Sequence, residues 1–178
     1  MTDITVRTLG EEDWPAYREM RLAALRESPD AFVATFEQES VFEEDLWRAR
    51  MLRARRLLAE RGGRPAGIVS IGQAPEPNTG VAELFGLWVT PDARGTGVAW
   101  QLVQAGADQA KEDGSSHLAY WVGTDNGRGV AFASSFGFLP TDNRRPMRVT
   151  SPEDGEEEMA MVLPLADDPG AVPRPSWD

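Results

Sequence analysis

Residues 81–112 decide the fold: Val81-Ala82-Glu83-Leu84-Phe85-Gly86-Leu87-Trp88-Val89, then Thr90-Pro91-Asp92-Ala93-Arg94-Gly95-Thr96-Gly97, then Val98–Glu112. The first nine residues are apolar toward both faces, which predicts a central strand. Pro91 to Gly95 breaks the run. From Thr96 to Glu112, the residues Val98, Leu102, Val103, Gly106 and Ala110 fall on one helical face, and Gly114 ends the helix. A strand, a glycine turn and a helix start offer an anion unsatisfied amides and the positive end of a helix dipole. Gly95 and Gly97 can take positive φ and put no Cβ in the way of a pyrophosphate, and Arg94 adds a permanent cation. The same glycines also fit a plain tight turn. Neither the Gly-Lys-Ser/Thr of a P-loop nor the third glycine of a dinucleotide fingerprint follows.

Outward from this segment the chain alternates in type. Residues 3–9 read as a strand, and a helix runs from Glu11 to Pro29 with Trp14, Tyr17, Arg21, Ala24 and Leu25 at helical spacing. Residues 30–38 read as irregular. Ser40-Val41-Phe42-Glu43 has the form of a capping box for a second helix through about Met51, with Val41, Leu46, Trp47 and Met51 as its apolar members. Residues 56–61 and 66–73 flank Gly62-Gly63, a hairpin signal. After the central helix come a strand at 117–122, a short helix at 129–136, and short strands near 138–141, 147–149 and 158–163. The order predicts a mixed α/β fold with a mainly antiparallel sheet of six to seven strands and about four helices.

The chain has 178 residues and a net charge of −11, from 18 Lys plus Arg against 29 Asp plus Glu. That length suits one domain, placed at residues 1–165, with a proline-containing acidic tail at 166–178. The charge is uneven: residues 151–178 hold eight acids and one base, whereas the first 150 hold 21 acids and 17 bases. No basic stripe is present, so duplex nucleic acid is not an expected partner. No run of 18 apolar residues and no signal-peptide pattern occurs, so no membrane association is expected and the cytoplasm is the expected compartment. With no cysteine and one histidine, His117, neither a thiolate nucleophile, a conventional Ser-His-Asp triad nor a metal site is expected.

The stretch Glu83–Gly97 resembles the central motif of the GCN5-related N-acetyltransferase (GNAT) family, E-L-x-x-L-x-V followed by P-x-x-R-G-x-G and a helix. A second family motif pairs an asparagine after the next strand with a later Gly-Phe; Asn126 stands there, with Gly137-Phe138 eleven and twelve positions on. Val6-Arg7 and Ser28-Pro29-Asp30-Ala31-Phe32 are similar too, and the resemblance covers about residues 4–164.

The resemblance implies a sheet splayed between its fourth and fifth strands, Val81–Val89 and His117–Val122, with acetyl-CoA as co-substrate. Backbone groups of Leu87, Trp88 and Val89 would pair with the pantetheine arm. Amides of Arg94, Gly95, Thr96, Gly97, Val98 and Ala99 would hold the pyrophosphate. Asn126 would bond the pantetheine region, and Phe132 to Phe136 would flank it. The implied reaction is direct attack of an amine on the thioester through a tetrahedral intermediate, with the Val89 amide as oxyanion donor. An amine must be neutral to attack, and Glu83 is the expected base.

This chain departs from the family at the position of the tyrosine acid, seven residues after the asparagine, where Ala133 stands. Ser134 is the hydroxyl next to it. Tyr120 lies on the neighbouring strand. Trp121 stands about where some relatives carry a glutamate, and Asp92 replaces a turn residue that is often Gln or Arg. Trp14, Phe32, Phe36 and Trp47 are expected to pack the first helices, the Arg48–Arg56 cluster to form a solvated face, and His117 to be structural. The expected acceptor is a small-molecule amine, with a peptide N-terminus or lysine as the alternative, or a non-catalytic acyl-CoA-binding module. A homodimer is a possible assembly.

Overall fold

The computed structural model describes residues 3–76, 78–124, 126–146 and 157–165. Its strands are β1 (Ile4–Thr8), β2 (Arg55–Arg61), β3 (Arg64–Gln73), β4 (Val81–Val89), β5 (His117–Gly123), β6 (Leu139–Pro146) and β7 (Glu157–Pro164). The helices are α1 (Trp14–Glu27), α2 (Phe36–Ser40), α3 (Glu44–Arg53), α4 (Val98–Glu112) and α5 (Gly127–Phe136). Strand order is β1-β2-β3-β4-β5-β7-β6, parallel only at β4–β5 among the ladders described below. A parallel neighbour requires a crossover, and α4 is that crossover. The chain divides into two compact units, Met1–Gly72 with Gly86–Gly106, and Gln73–Phe85 with Ala107–Asp178.

In the first unit, β1 pairs antiparallel with β2 from Ile4↔Arg61 to Thr8↔Leu57, and β2 with β3 from Arg55↔Ile71 to Arg61↔Arg64. Gly62 and Gly63, at φ 60° and 80°, make the two-residue turn whose twist matches the strands it joins. The core gathers Tyr17, Met20, Leu25, Trp47, Met51, Leu58, Ile68 and Trp88, with Trp14, Phe32 and Phe36 packed against it, as expected. Within this layer Glu39 is buried and takes three hydrogen bonds, two from Arg21 at 3.0 Å each and one from Arg50 at 2.7 Å. Burial alone would raise the Glu39 pKa, but the two guanidinium groups outweigh it and leave the carboxyl below its ordinary value.

In the second unit, residues Val81–Leu84 of β4 pair in parallel with His117–Tyr120 of β5. β5 pairs antiparallel with β7 from His117↔Pro164 to Gly123↔Glu158, and β6 with β7 through Arg145↔Glu158. Val81, Ala119 and Val162 form its packed centre. α5 ends at Gly137, whose φ of 117° is a left-handed C-cap.

Several expectations need correction. Residues 30–38 are not irregular throughout: α2 begins within them, and its capping box is Thr35 with Gln38, each side chain bonding the other's backbone amide. Ser40 ends α2, and Glu43 precedes α3 without a side-chain cap. Both segments fit the S/T-x-x-E/Q form, and burial of Glu39 against Arg21 and Arg50 favours the earlier one. Val41 and Leu46 are not core members of the second helix, being 76% and 41% exposed. The Arg48–Arg56 cluster is only partly a solvated face: Arg56 is buried, bonding Ser70 Oγ at 2.8 Å and the Arg50 carbonyl at 3.2 Å. α4 starts at Val98 rather than Thr96, and α5 at Gly127 rather than Gly129. The helix count is five α-helices among the described residues. The strand expected at 138–141 is the start of a longer β6, while the one at 147–149 and the tail at 166–178 lie outside the described residues.

Candidate active site

The two units carry different parts of the expected site. In the first, β4 continues as Gly86-Leu87-Trp88-Val89. Gly86 has φ 63° in mid-strand, a left-handed conformation that L side chains rarely adopt. Trp88 is buried, and its indole N–H donates to Ser28 Oγ at 3.1 Å, so only its backbone remains for a ligand. Arg94 Nε donates to the Val89 carbonyl at 3.1 Å, folding the turn back on the strand end. Thr96 Oγ1 donates to the Ala93 carbonyl and ties the turn from inside. These bonds hold a loop whose glycines, Gly95 at φ 78° and Gly97 at φ 95°, sit where L side chains are strained.

A Cβ built on Gly95 or Gly97 meets nothing within 4 Å, so the loop backbone faces open space. The first bond of the α4 ladder runs from Gln101 N–H to the Gly97 carbonyl at 3.1 Å. The amides of Gly97, Val98 and Ala99 therefore lie ahead of the ladder, without intrahelical acceptors. Open space, forward amides and an exposed Arg94 fit an anionic diphosphate.

In the second unit, Glu83 is half-buried on β4, and its Oε2 accepts the indole N–H of Trp121 at 2.7 Å. Asn126 caps α5: its Oδ1 accepts the Gly129 amide at 3.0 Å, which leaves the Nδ2 amide hydrogens for other partners. A Cβ on Gly129 would come within 2.6 Å of that Nδ2, so the glycine makes room for the asparagine. Phe132 is half-buried on α5, Ala133 is fully buried, and Ser134 is exposed. Successive helix residues point about 100° apart, so the Ser134 hydroxyl does not simply replace a side chain at position 133. Tyr120 packs edge-on against Phe138 at 6.2 Å, and burial pushes its phenol pKa up, so it stays protonated at neutral pH. His117 is buried with Nδ1 2.8 Å from Ser116 Oγ, and burial lowers its pKa, which makes it a neutral structural histidine.

Leu87 to Val89 and Arg94 to Ala99 thus belong to one unit, and Glu83, Asn126, Phe132 and Ser134 to the other. Two features escaped the sequence reading. Gly86 lies inside the expected strand, where a lone glycine is the available signal of an unusual backbone conformation. For Trp121 no sequence signal shows that its indole reaches across to β4. Among the described residues no cluster of three or more His, Asp or Glu side chains could hold a metal, and no helix is long and apolar enough to cross a membrane.

The model of the acetyltransferase (GNAT) family matches residues 14–138, most of the chain. The chain belongs to the GNAT family. Enzymes of this family are acetyltransferases with acetyl-CoA as acyl donor. Uncharacterized N-acetyltransferase MJ1207 of Methanocaldococcus jannaschii is 31% identical over 84 residues, 46% of this chain. The match spans 37% of that relative's length, little more than a third. Among solved structures, yncA of Salmonella typhimurium, determined with its cofactor acetyl-CoA, is 20% identical with a TM-score of 0.70, covering 96% of this chain and 98% of that one. The ribosomal-protein-S18-alanine N-acetyltransferase of Escherichia coli is 19% identical with a TM-score of 0.65, covering 97% and 100%. The ribosomal-protein-alanine N-acetyltransferase of Brucella melitensis is 22% identical with a TM-score of 0.69, covering 90% and 99%. At these identities the structural likeness is one of fold, and it agrees with the seven-stranded order seen here.

Proposed function

We propose that this chain is an N-acetyltransferase that transfers the acetyl group of acetyl-CoA to the primary amine of a small molecule. The observation that carries the proposal is the loop of Arg94 to Ala99 within the matched family segment, its two left-handed glycines opening onto free space. Bound there, acetyl-CoA supplies an activated acetyl thioester. The amides from Gly95 to Ala99 and the Arg94 guanidinium hold the diphosphate charge. Backbone groups of Leu87, Trp88 and Val89 align the pantetheine arm as an added strand would, and the family motif assigns Asn126 Nδ2 and the Phe132 ring to the same ligand. Glu83 takes the proton of the incoming ammonium, directly or through water, at its second oxygen, Oε1. The Val89 N–H donates to the oxygen on which negative charge develops. Ser134 is the hydroxyl assigned to passing a proton to the departing sulfur, a smaller contribution because a thiolate is a tolerable leaving group without it.

A small cationic acceptor is favoured by the net charge of −11, which raises the local concentration of amines. The cytoplasm is the proposed compartment, in keeping with a chain that has no cysteine. A second acceptor class, a protein N-terminus, is suggested by the fold neighbours that acetylate ribosomal-protein alanines.

Release of free thiol from acetyl-CoA, measured with spermidine, tyramine and an alanine-terminated peptide, tests the proposal. Turnover with a small amine supports it, and Glu83→Gln then lowers kcat by about a hundred-fold or more. Turnover with the peptide alone moves the acceptor to protein. Tight coenzyme A binding with no turnover on any amine assigns a binding module instead.

A further inference from the structure

Glu83 is not left to solvent. It stands opposite Ala119 in the β4–β5 ladder, and Trp121, two residues along β5, shares that face. Across the next ladders Trp121 stands opposite Ala160, and Gly123 opposite Glu158 on β7, which in turn faces Arg145 on β6. One sheet face therefore carries Glu83, Trp121, Glu158 and Arg145 in a row over four strands. The residues directly opposite Glu83 and Trp121 are Ala119 and Ala160, both fully buried, and their small size leaves the indole room to lie across the strands. The Arg145 guanidinium lies 4.0 Å from the centre of the Trp121 ring and bonds through Nε to Glu158 Oε1. The indole is thus held from one side by a fixed cation and donates from the other to Glu83 Oε2 at 2.7 Å.

We propose that Trp121 is a positioning residue for acyl transfer, fixing the Glu83 carboxylate through Oε2 so that Oε1 alone faces the amine proton. The proposal rests on Glu83 acting as the base. An indole is a donor only, so it can orient the carboxylate without competing for the proton that the carboxylate must collect. A serine, tyrosine or lysine in its place could exchange protons with the base. Arg145, itself held by Glu158, keeps the ring plane aligned with Glu83. Preorganisation of this kind removes a search among carboxylate rotamers during the reaction.

Trp121→Phe keeps a ring under Arg145 and deletes the N–H. With whichever of spermidine, tyramine or the alanine-terminated peptide is acetylated, W121F is expected to lower kcat about ten-fold while both KM values stay within about two-fold. In an E83Q background the same substitution is expected to cost nothing further, because a residue acting through Glu83 has nothing left to position. Equal losses in both backgrounds, or an unchanged kcat in W121F, overturn the proposal. A separate readout needs no turnover: the indole N–H cross-peak that W121F removes from the NMR spectrum is expected to move in E83Q. If E83Q is inactive and that peak does not move, the Trp121 inference fails alone. A moved peak with wild-type kcat in E83Q removes Glu83 as base and overturns the positioning role with it.

Discussion

Glu39 shows how one residue can organise a layer. Its side chain is 2% exposed and joins Arg21 to Arg50. Removing one partner of a buried ion pair leaves charge uncompensated, so Glu39→Gln is expected to cost about 3–5 kcal/mol at pH 7. The folded carboxyl binds its proton less tightly than the unfolded one, whose ordinary value is 4.5. Its contribution is therefore full above that value and lost as pH falls through the lower folded value. Urea unfolding of wild type and E39Q should show a stability gap that is constant near neutrality and narrows below pH 4.5; a gap independent of pH would contradict this account. The ion-pair cluster was not legible in the sequence. Arg21, Glu39 and Arg50 are far apart in the chain, no local pattern links them, and the arginine-rich run around Arg50 looks like solvated charge. The turn at Asn126 was legible, and its side chain caps α5 there.

At the scale of elements, the strand–loop–helix from Val81 to Glu112 was readable because each piece has its own local signal: apolar residues on both faces, glycines in a turn, then helical periodicity. Gly86 was hidden inside that clarity. In a mostly apolar run the glycine itself is the one sign that the strand passes through φ 63° there. Gly86→Ala meets only Ser70 Oγ at 3.9 Å, so its cost is backbone strain rather than crowding. That strain is about 1–2 kcal/mol, which lowers Tm by roughly 3–6 °C in a chain of this size. Calorimetric melting checks the figure, and an unchanged Tm would mean that position 86 tolerates a side chain. β6 is longer than its local sequence signals. Residues 142–146, Asp-Asn-Arg-Arg-Pro, carry turn and charge signals, yet Arg145 is drawn into the strand by Glu158 and Trp121.

For the whole molecule, a net charge of −11 sets a physical problem, since the proposed acyl donor is itself an anion. Local fields decide such cases. Forward amides and one guanidinium at the α4 start act at contact distance, whereas remote surface charges more than about 8 Å away are screened at physiological salt. The family and the general fold were legible because both motifs fall on the elements that carry them. The acceptor was not, because neither motif records it. The most direct measurement is titration calorimetry of acetyl-CoA into wild type and Gly97→Phe. One-site binding to wild type is expected, with a loss of about a hundred-fold or more in G97F at unchanged circular dichroism, because a side chain at position 97 blocks at least two charge-assisted amide contacts. Wild-type affinity in G97F, or no binding to either protein, would contradict it.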